Sequence, residues 1–298
     1  MIVVKLYGGL GNQLFQYAFG ISNSNTTEQE LFFDVTNGYE GDFFERSFVL
    51  EKLGLVVPKI PQTFQTNLFF GNAISSKIWR KILSIVPASY KSYYREKEKF
   101  LLDNEVFCVG MNTYFDGYWQ NYKYFDEAKP LIQKDVFESI DKPITDLLQT
   151  SSNAEIVCVH MRYPHAYVGD KVHSGASESF EILEFSYFEE SIEFILNSID
   201  KPVFYFFSDN LPWARERISN LSFPINSFFA EAGSDVDHFK LMVQCDHFII
   251  SNSTFSWWAA YLGENDSKKI VSPKFWYKNL DLTDYGFFPA DWTLIKNR

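Results

Sequence analysis

Four short apolar runs, Ile156–His160, Val203–Phe207, Phe248–Ile250 and Ile270–Ser272, recur through the second half of this chain with helix-like segments between them. Strands that alternate with helices imply βαβ units on a parallel sheet, which places the chain in the α/β class. One of the intervening helices is well marked. Ser186-x-x-Glu189 has the form of a capping box, and Phe188, Ile192, Ile195, Leu196 and Ile199 then return at helical spacing. That stripe reads as core packing.

The first half begins in the same way. Ile2–Tyr7 is a β-rich run, Gly8-Gly9-Leu10-Gly11-Asn12 follows, and Leu14, Phe15, Tyr17, Ala18 and Ile21 have helical spacing. Leu31–Asp34 reads as a second strand. Residues 40–100 carry aromatic patches, Pro58, Pro61 and a basic segment from Lys91 to Lys99, without a clear period. Near residues 138–155, Pro143 and the polar stretch Gln149–Asn153 interrupt the apolar pattern, so the expected division is a lobe of residues 1–145 and a lobe of residues 146–298. There is no internal repeat and no low-complexity tract.

Composition narrows the function classes. At 298 residues and 46% hydrophobic content the chain has enough apolar surface for two cores. The 18% aromatic share suits packed cores and sugar-stacking surfaces, with core packing accounting for most of it. A net charge of −11 argues against nucleic acid or anionic membrane as a partner, so any phosphate site must be local. Cys108, Cys158 and Cys245 lie in or beside apolar runs without metal-ligand spacing and read as buried thiols in a reducing compartment. No apolar run approaches the roughly 20 residues of a spanning helix, and Met1 leads directly into a strand. The expectation is a cytoplasmic protein without a transmembrane segment, with room for peripheral contact at the inner face of the membrane. Asn-x-Ser/Thr triplets at Asn25, Asn220, Asn252 and Asn265 carry little weight in such a protein.

Several segments have the make-up of a ligand site. Gly9-x-Gly11 lies between a strand and a helix, where backbone N–H groups approach an anionic or polar ligand. A plain tight turn fits as well, and so does a dinucleotide site with Asp34 as its ribose acid, although Leu14 stands where that fingerprint needs a third glycine. His160-x-Arg162 ends a strand at the edge where open α/β sheets bind ligands, and an arginine fork there can hold a pyrophosphate. Ser251-Asn252-Ser253-Thr254-Phe255-Ser256-Trp257-Trp258 follows the strand Phe248–Ile250 and opens a helix running to Leu262. N-capping needs only one of its hydroxyls, so the excess favours a ligand. Asp235-Val236-Asp237 has the form of a metal-binding carboxylate pair, but the helix-like run after it favours helix-start charge. No metal is expected.

Together these segments resemble the inverting α-1,2-fucosyltransferases of glycosyltransferase family 11. The resemblance rests on the order of four motifs: Gly8-Gly9-Leu10-Gly11-Asn12-Gln13-Leu14-Phe15-Gln16-Tyr17-Ala18, Gly117-Tyr118-Trp119-Gln120-Asn121, His160-x-Arg162, and Ser251 through Trp258. It implies a GT-B-like fold of two Rossmann-like lobes, with the donor site in the C-terminal lobe facing the cleft. It also implies GDP-fucose as donor, a glycan acceptor on the N-terminal lobe with a terminal galactose O2 as the accepting group, and no metal or other cofactor. Donor-binding residues implied are Gly9, Gly11, Asn12, His160 on the guanine side, Arg162 on the diphosphate, Asp237, Asn252, Ser253, Thr254 and Ser256. After Arg162 the family usually continues Arg-Gly-Asp-Tyr, whereas this chain has Tyr163-Pro164-His165-Ala166-Tyr167. Two outcomes fit that departure: reduced catalytic power, or a reshaped loop in which His165 or Asp170 takes over as base. Inversion in one displacement needs such a base and an anion clamp, for which Arg162 and His165 are the catalytic candidates. A transferase with another nucleotide-sugar donor, a noncatalytic nucleotide-sugar or glycan-binding homologue, and a dinucleotide-dependent oxidoreductase are the rival readings.

Overall fold

The computed structural model describes residues 1–42, 44–60, 78, 92–148, 154–163, 180–231 and 233–298. His165, Asp170 and the polar stretch Gln149–Asn153 lie outside the described residues. The chain divides into two compact units, Met1–Asp135 with Tyr285–Phe287, and Val136–Asp284 with Phe288–Arg298.

In the first unit, β1 (Ile2–Lys5) leads through the glycine loop into α1 (Leu10–Thr27), followed by β2 (Leu31–Asp34), β3 (Tyr93–Arg95) and β4 (Thr113–Asp116). These strands form one parallel sheet in the order β2-β1-β4-β3. β1 and β4 are neighbours in the sheet although more than a hundred residues separate them in sequence, and the connection from β1 runs outward to β2. α1 is buried nearly all round, so its amides need protein partners. Gln13 Nε2 donates to Gly8 O (3.0 Å) and Ser47 O (2.9 Å), and Asn23 Nδ2 donates to Val106 O (2.8 Å).

Leu14 fills core space at 0% exposure, and the Asp34 carboxylate, equally buried, accepts hydrogen bonds from Thr36, Asn37 and Tyr114. An acid so thoroughly engaged by its own fold has no capacity left for a ribose. The dinucleotide reading of the glycine loop is thereby removed.

α2 (Lys129–Glu138) carries the chain into the second unit, where α3 (Ile144–Leu148), β5 (Ile156–Met161), α4 (Phe185–Ser198), β6 (Val203–Ser208), α5 (Leu211–Ser219), β7 (Asn226–Phe229), α6 (Asp235–Met242), β8 (His247–Ile249), α7 (Thr254–Leu262), β9 (Ile270–Pro273) and β10 (Thr293–Ile295) follow. The sheet is parallel throughout, in the order β10-β9-β8-β5-β6-β7. From β5 the chain winds one way to β7, and from β8 it winds the other way to β10. The crevice between β5 and β8 is therefore the switch point of a doubly wound sheet. Val157, Val159, Phe204 and Phe206 pack against Phe188, Ile192 and Ile195 of α4 to form the core beneath it.

Two expectations need correction. α4 starts at Phe185 after Glu184, which makes no side-chain cap, so Ser186-x-x-Glu189 lies within the first turns and does not cap the helix. Leu183 packs in the core just before that start and Phe185 packs against the same cluster, so burial of this segment, rather than a capping bond, sets where the helix begins. Cys158 and Cys245 are buried, but Cys108 is exposed, because in its 3₁₀ turn only Val106 faces the core. Asp235-Val236-Asp237 is the helix start that the run after it suggested: Asp237 Oδ2 accepts from the Ser234 amide (3.0 Å), and the Asp237 amide donates to Ser234 Oγ (3.2 Å).

Candidate functional site

At the switch point of the second sheet, the end of β5 and the loop after β8 are joined through one hydroxyl. Ser251 Oγ donates to His160 O (2.6 Å) and accepts from the Arg162 amide (3.1 Å). This clip fixes the backbone that carries both residues. Asn252 anchors the loop from the other side, with Nδ2 donating to Glu181 O (2.7 Å) and Trp276 O (3.2 Å). Both amide hydrogens of Asn252 are thus engaged by the fold, and only its oxygen remains for a ligand.

The loop ends in α7, whose N-cap Ser253 is extended (φ −137°, ψ 125°) and makes no capping bond with its side chain. A capping serine normally satisfies one of the first-turn N–H groups. Here Ser253 leaves that turn uncapped, although it is buried and next to a run of hydroxyls. Such a helix start combines directed N–H donors with the positive end of the helix dipole and suits an anion. Thr254 lies beside it, half-buried.

Ser256 has a different role. Fully buried, its Oγ lies 2.9 Å from His160 Nδ1 and 3.3 Å from Ser253 O. With the hydroxyl proton directed to Ser253 O, the Nδ1 atom supplies the hydrogen to Ser256, and Nε2 keeps its lone pair as an acceptor. Desolvation, then the positive charges of Arg162 and His238, push the His160 pKa from 6.5 down to about 3. The imidazole is neutral at working pH.

That shift has a stability consequence. Below pH 6.5 the unfolded chain binds a proton at His160 that the native state refuses, so stability falls with pH until about 3 and is unaffected above 6.5. Urea unfolding from neutral pH down to about pH 4 should show a His160 contribution of at most ~1.4 kcal/mol per pH unit. His160→Gln should flatten this part of the profile. An unchanged slope would mean that His160 titrates normally in the folded protein.

Asp209, at the exposed end of β6, accepts from the Tyr163 amide (2.7 Å), and the Tyr163 ring meets Trp213 edge-on at 5.3 Å. His238 on α6 contacts Glu231 O through Nε2 (3.0 Å) and sets its ring against Phe207, with centroids 5.9 Å apart. Asp209, Trp213 and His238 were not singled out from sequence, since Asp209 and Trp213 gain their roles from Tyr163 after β5 and His238 from Phe207 in β6. Asp237 lies one residue before His238 but is exposed, with one carboxylate oxygen committed to the capping box. In the first unit, Gly9 is the extended N-cap of α1, Gly11 is buried in its first turn, and Asn12 Oδ1 accepts from Gln120 Nε2 (2.9 Å). The expected residues therefore form two groups: Gly9, Gly11 and Asn12 at the end of β1, and His160, Arg162, Asn252, Ser253, Thr254 and Ser256 at the β5/β8 switch point.

Among the described residues no three His, Cys, Asp or Glu side chains stand together as a metal cluster, and no helix is long and apolar enough to cross a membrane.

The family model for glycosyl transferase family 11 matches residues 1–296. The chain is 28% identical to an alpha-1,2-colitosyltransferase of Escherichia coli, over 99% of each chain. It is 25% identical to a galactoside 2-alpha-L-fucosyltransferase of Caenorhabditis elegans, over 98% of this chain and 78% of that one. Among solved structures it resembles a mutant of Arabidopsis thaliana FUT1 in complex with GDP, with a TM-score of 0.51 at 12% identity, over 90% of this chain and 69% of the other. That likeness bears on the fold, which with its two parallel-sheet α/β units is GT-B-like.

Proposed function

The chain belongs to glycosyl transferase family 11, and on that premise we propose that it moves L-fucose from GDP-β-L-fucose to a glycan hydroxyl, O2 of a terminal galactose, with inversion at the anomeric carbon. The observation that carries this reading is the uncapped start of α7 beside Arg162 at the β5/β8 switch point. As the C1–O bond to GDP breaks, negative charge grows on the diphosphate. Arg162, the first-turn N–H groups of α7 and the Ser253 and Thr254 hydroxyls form a clamp for that charge. A cationic fork and a helix start can do this without a divalent ion, so transfer proceeds without metal.

His160, neutral and held by Ser256, offers Nε2 to a donor group on the guanine. Asp237 is a second acceptor for that base through its remaining oxygen. Gly9, Gly11 and Asn12 lie at a second helix start, that of α1, whose N–H groups suit a polar or anionic ligand. The acceptor hydroxyl loses its proton to His165 in the segment that follows Arg162. A second reading is favoured by the colitosyltransferase relative: colitose is L-fucose without its 3-hydroxyl, and a GDP-colitose donor would use the same clamp.

The test is GDP release from GDP-fucose with a galactose-terminated acceptor, in the presence and absence of EDTA, with GDP-colitose and UDP-galactose run in parallel. Acceptor-dependent release from GDP-fucose that survives EDTA is expected. Release only from GDP-colitose would move the donor to the second reading, and release only from UDP-galactose would overturn both.

A further inference from the structure

The two sheets end in the edge strands β2, β3, β7 and β10, and all but β7 are guarded. On the outer side of β2 the Phe33 amide donates to Pro58 O (2.7 Å) and the Ile60 amide donates to Phe33 O (3.1 Å). β3 carries Arg95 and runs on into Glu96 and Lys97, and β10 is followed at once by Lys296 and Arg298. Covering or charging an edge in this way discourages it from pairing with another chain. Among the described residues β7 has neither device. It lies within Asn220–Ala230, a run without a single charged residue in a chain of net charge −11, and Ser227, Phe228 and Phe229 are all partly exposed.

The backbone of β7 is also complementary to itself. The Ala230 amide donates to Phe206 O (2.9 Å), and backbone groups alternate in direction along a strand. Asn226 and Phe228 therefore turn toward β6 as Ala230 does, while Ser227 and Phe229 turn their N–H and C=O groups outward. In an antiparallel pair about a twofold axis, Ser227 of each copy stands opposite Phe229 of the other, each such pairing exchanging both of its N–H···O bonds. The two Phe228 side chains then meet across the axis, on the face away from α5, where aromatic pairs are favourable.

Ser227 and Phe229 point to the other face, beside a cavity of about 480 Å³ lined by them, by Ile225, and by Arg215, Ile218 and Leu221 from α5 and the turn after it. In the pair each Phe229 ring faces a small Ser227, so that large meets small and the two cavities adjoin. Arg215 lies over the Phe229 ring at 4.3 Å and pairs with Glu231, which offsets the acid nearest to this edge. A partner of opposite charge would be drawn to the acidic remainder of the surface, whereas an uncharged, self-complementary edge suits a second copy. We propose that two copies of this chain associate through β7, joining their six-stranded sheets into one. The strand is only 4 residues long, so the association is weak, with a dissociation constant in the micromolar range. The proposal stands apart from the donor and acceptor of the transfer reaction.

Sedimentation velocity of the whole chain from about 1 to about 200 µM should show a reversible monomer–dimer equilibrium. Phe228→Lys sets like charges opposite each other at the axis, and Ser227→Pro removes an outward N–H while leaving the β6 ladder intact. Each should raise the dissociation constant by roughly tenfold or more, with the circular dichroism spectrum of the dilute, monomeric protein unchanged. A crosslink reports the register independently. With exposed Cys108 replaced by serine, Phe228→Cys should give a disulfide-linked dimer under glutathione disulfide, because directly opposed residues of a non-hydrogen-bonded pair lie within disulfide reach. Ser222→Cys, exposed but outside the strand, should not. A chain that stays monomeric throughout, a dimer that both β7 substitutions leave intact, or a Phe228→Cys protein that crosslinks no faster than Ser222→Cys would overturn the proposal.

Discussion

Arg162→Ala is expected to lower turnover by about 10²–10³-fold while leaving the fold intact. The fold should survive because the strand end is held by the Arg162 amide on Ser251 Oγ and by His160 O, neither of which uses the guanidinium. The rate should fall because Arg162 provides a side-chain charge, at this switch point, for the developing diphosphate. Arg162→Lys keeps a positive charge but loses the planar fork, so its turnover should lie between the two. Removal of the guanidinium also takes away one of the charges that depress the His160 pKa, which should move back toward its ordinary value. A steady-state comparison of kcat for the three proteins checks this. Near-normal turnover in Arg162→Ala would take Arg162 out of the mechanism.

Trp119→Ala should be the most destabilising substitution in the first unit. Trp119 is fully buried, stacked on Phe19 at 4.2 Å and met edge-on by Phe115 at 5.8 Å and Tyr124 at 6.0 Å. Alanine keeps the Cβ that makes the left-handed φ of Trp119, 56°, costly, so the backbone strain stays. Deleting a buried tryptophan should then cost about 3–5 kcal/mol through lost burial and the cavity left behind. Chemical denaturation followed by circular dichroism measures it, and a loss under about 1 kcal/mol would show that the aromatic cluster closes over the gap.

What could be read from the sequence followed local pattern. β5 and β6 were legible because Ile156–Met161 and Val203–Ser208 are almost continuous apolar runs, and α7 because Ser251–Ser256 leads into a tryptophan-rich helix start. Arg162 stood out for its place at a strand end. The short strands β3, β4, β7 and β10 were not foreseen. β7, for example, opens on exposed Asn226 at the sheet edge, where the apolar signal is weak.

The roles inside the site were harder still, because they depend on contacts between distant residues. Ser256 reads as one more phosphate donor in sequence, yet it lies 96 positions from the His160 ring that it holds. Asp209 carries no motif of its own and matters only through a backbone amide supplied by the end of another strand. Asp34 shows the reverse case, in which a suggestive position proved to be a buried hydrogen-bond hub.

The most direct test of the central claim is proton NMR of the product formed from GDP-β-L-fucose and a galactose-terminated acceptor. The account predicts a single new α-L-fucosyl anomeric signal, with the linkage shift at the galactose 2-position, and its appearance at the same rate when EDTA is present. A β-linked product, attachment at another galactose hydroxyl, or transfer that stops with EDTA would contradict it.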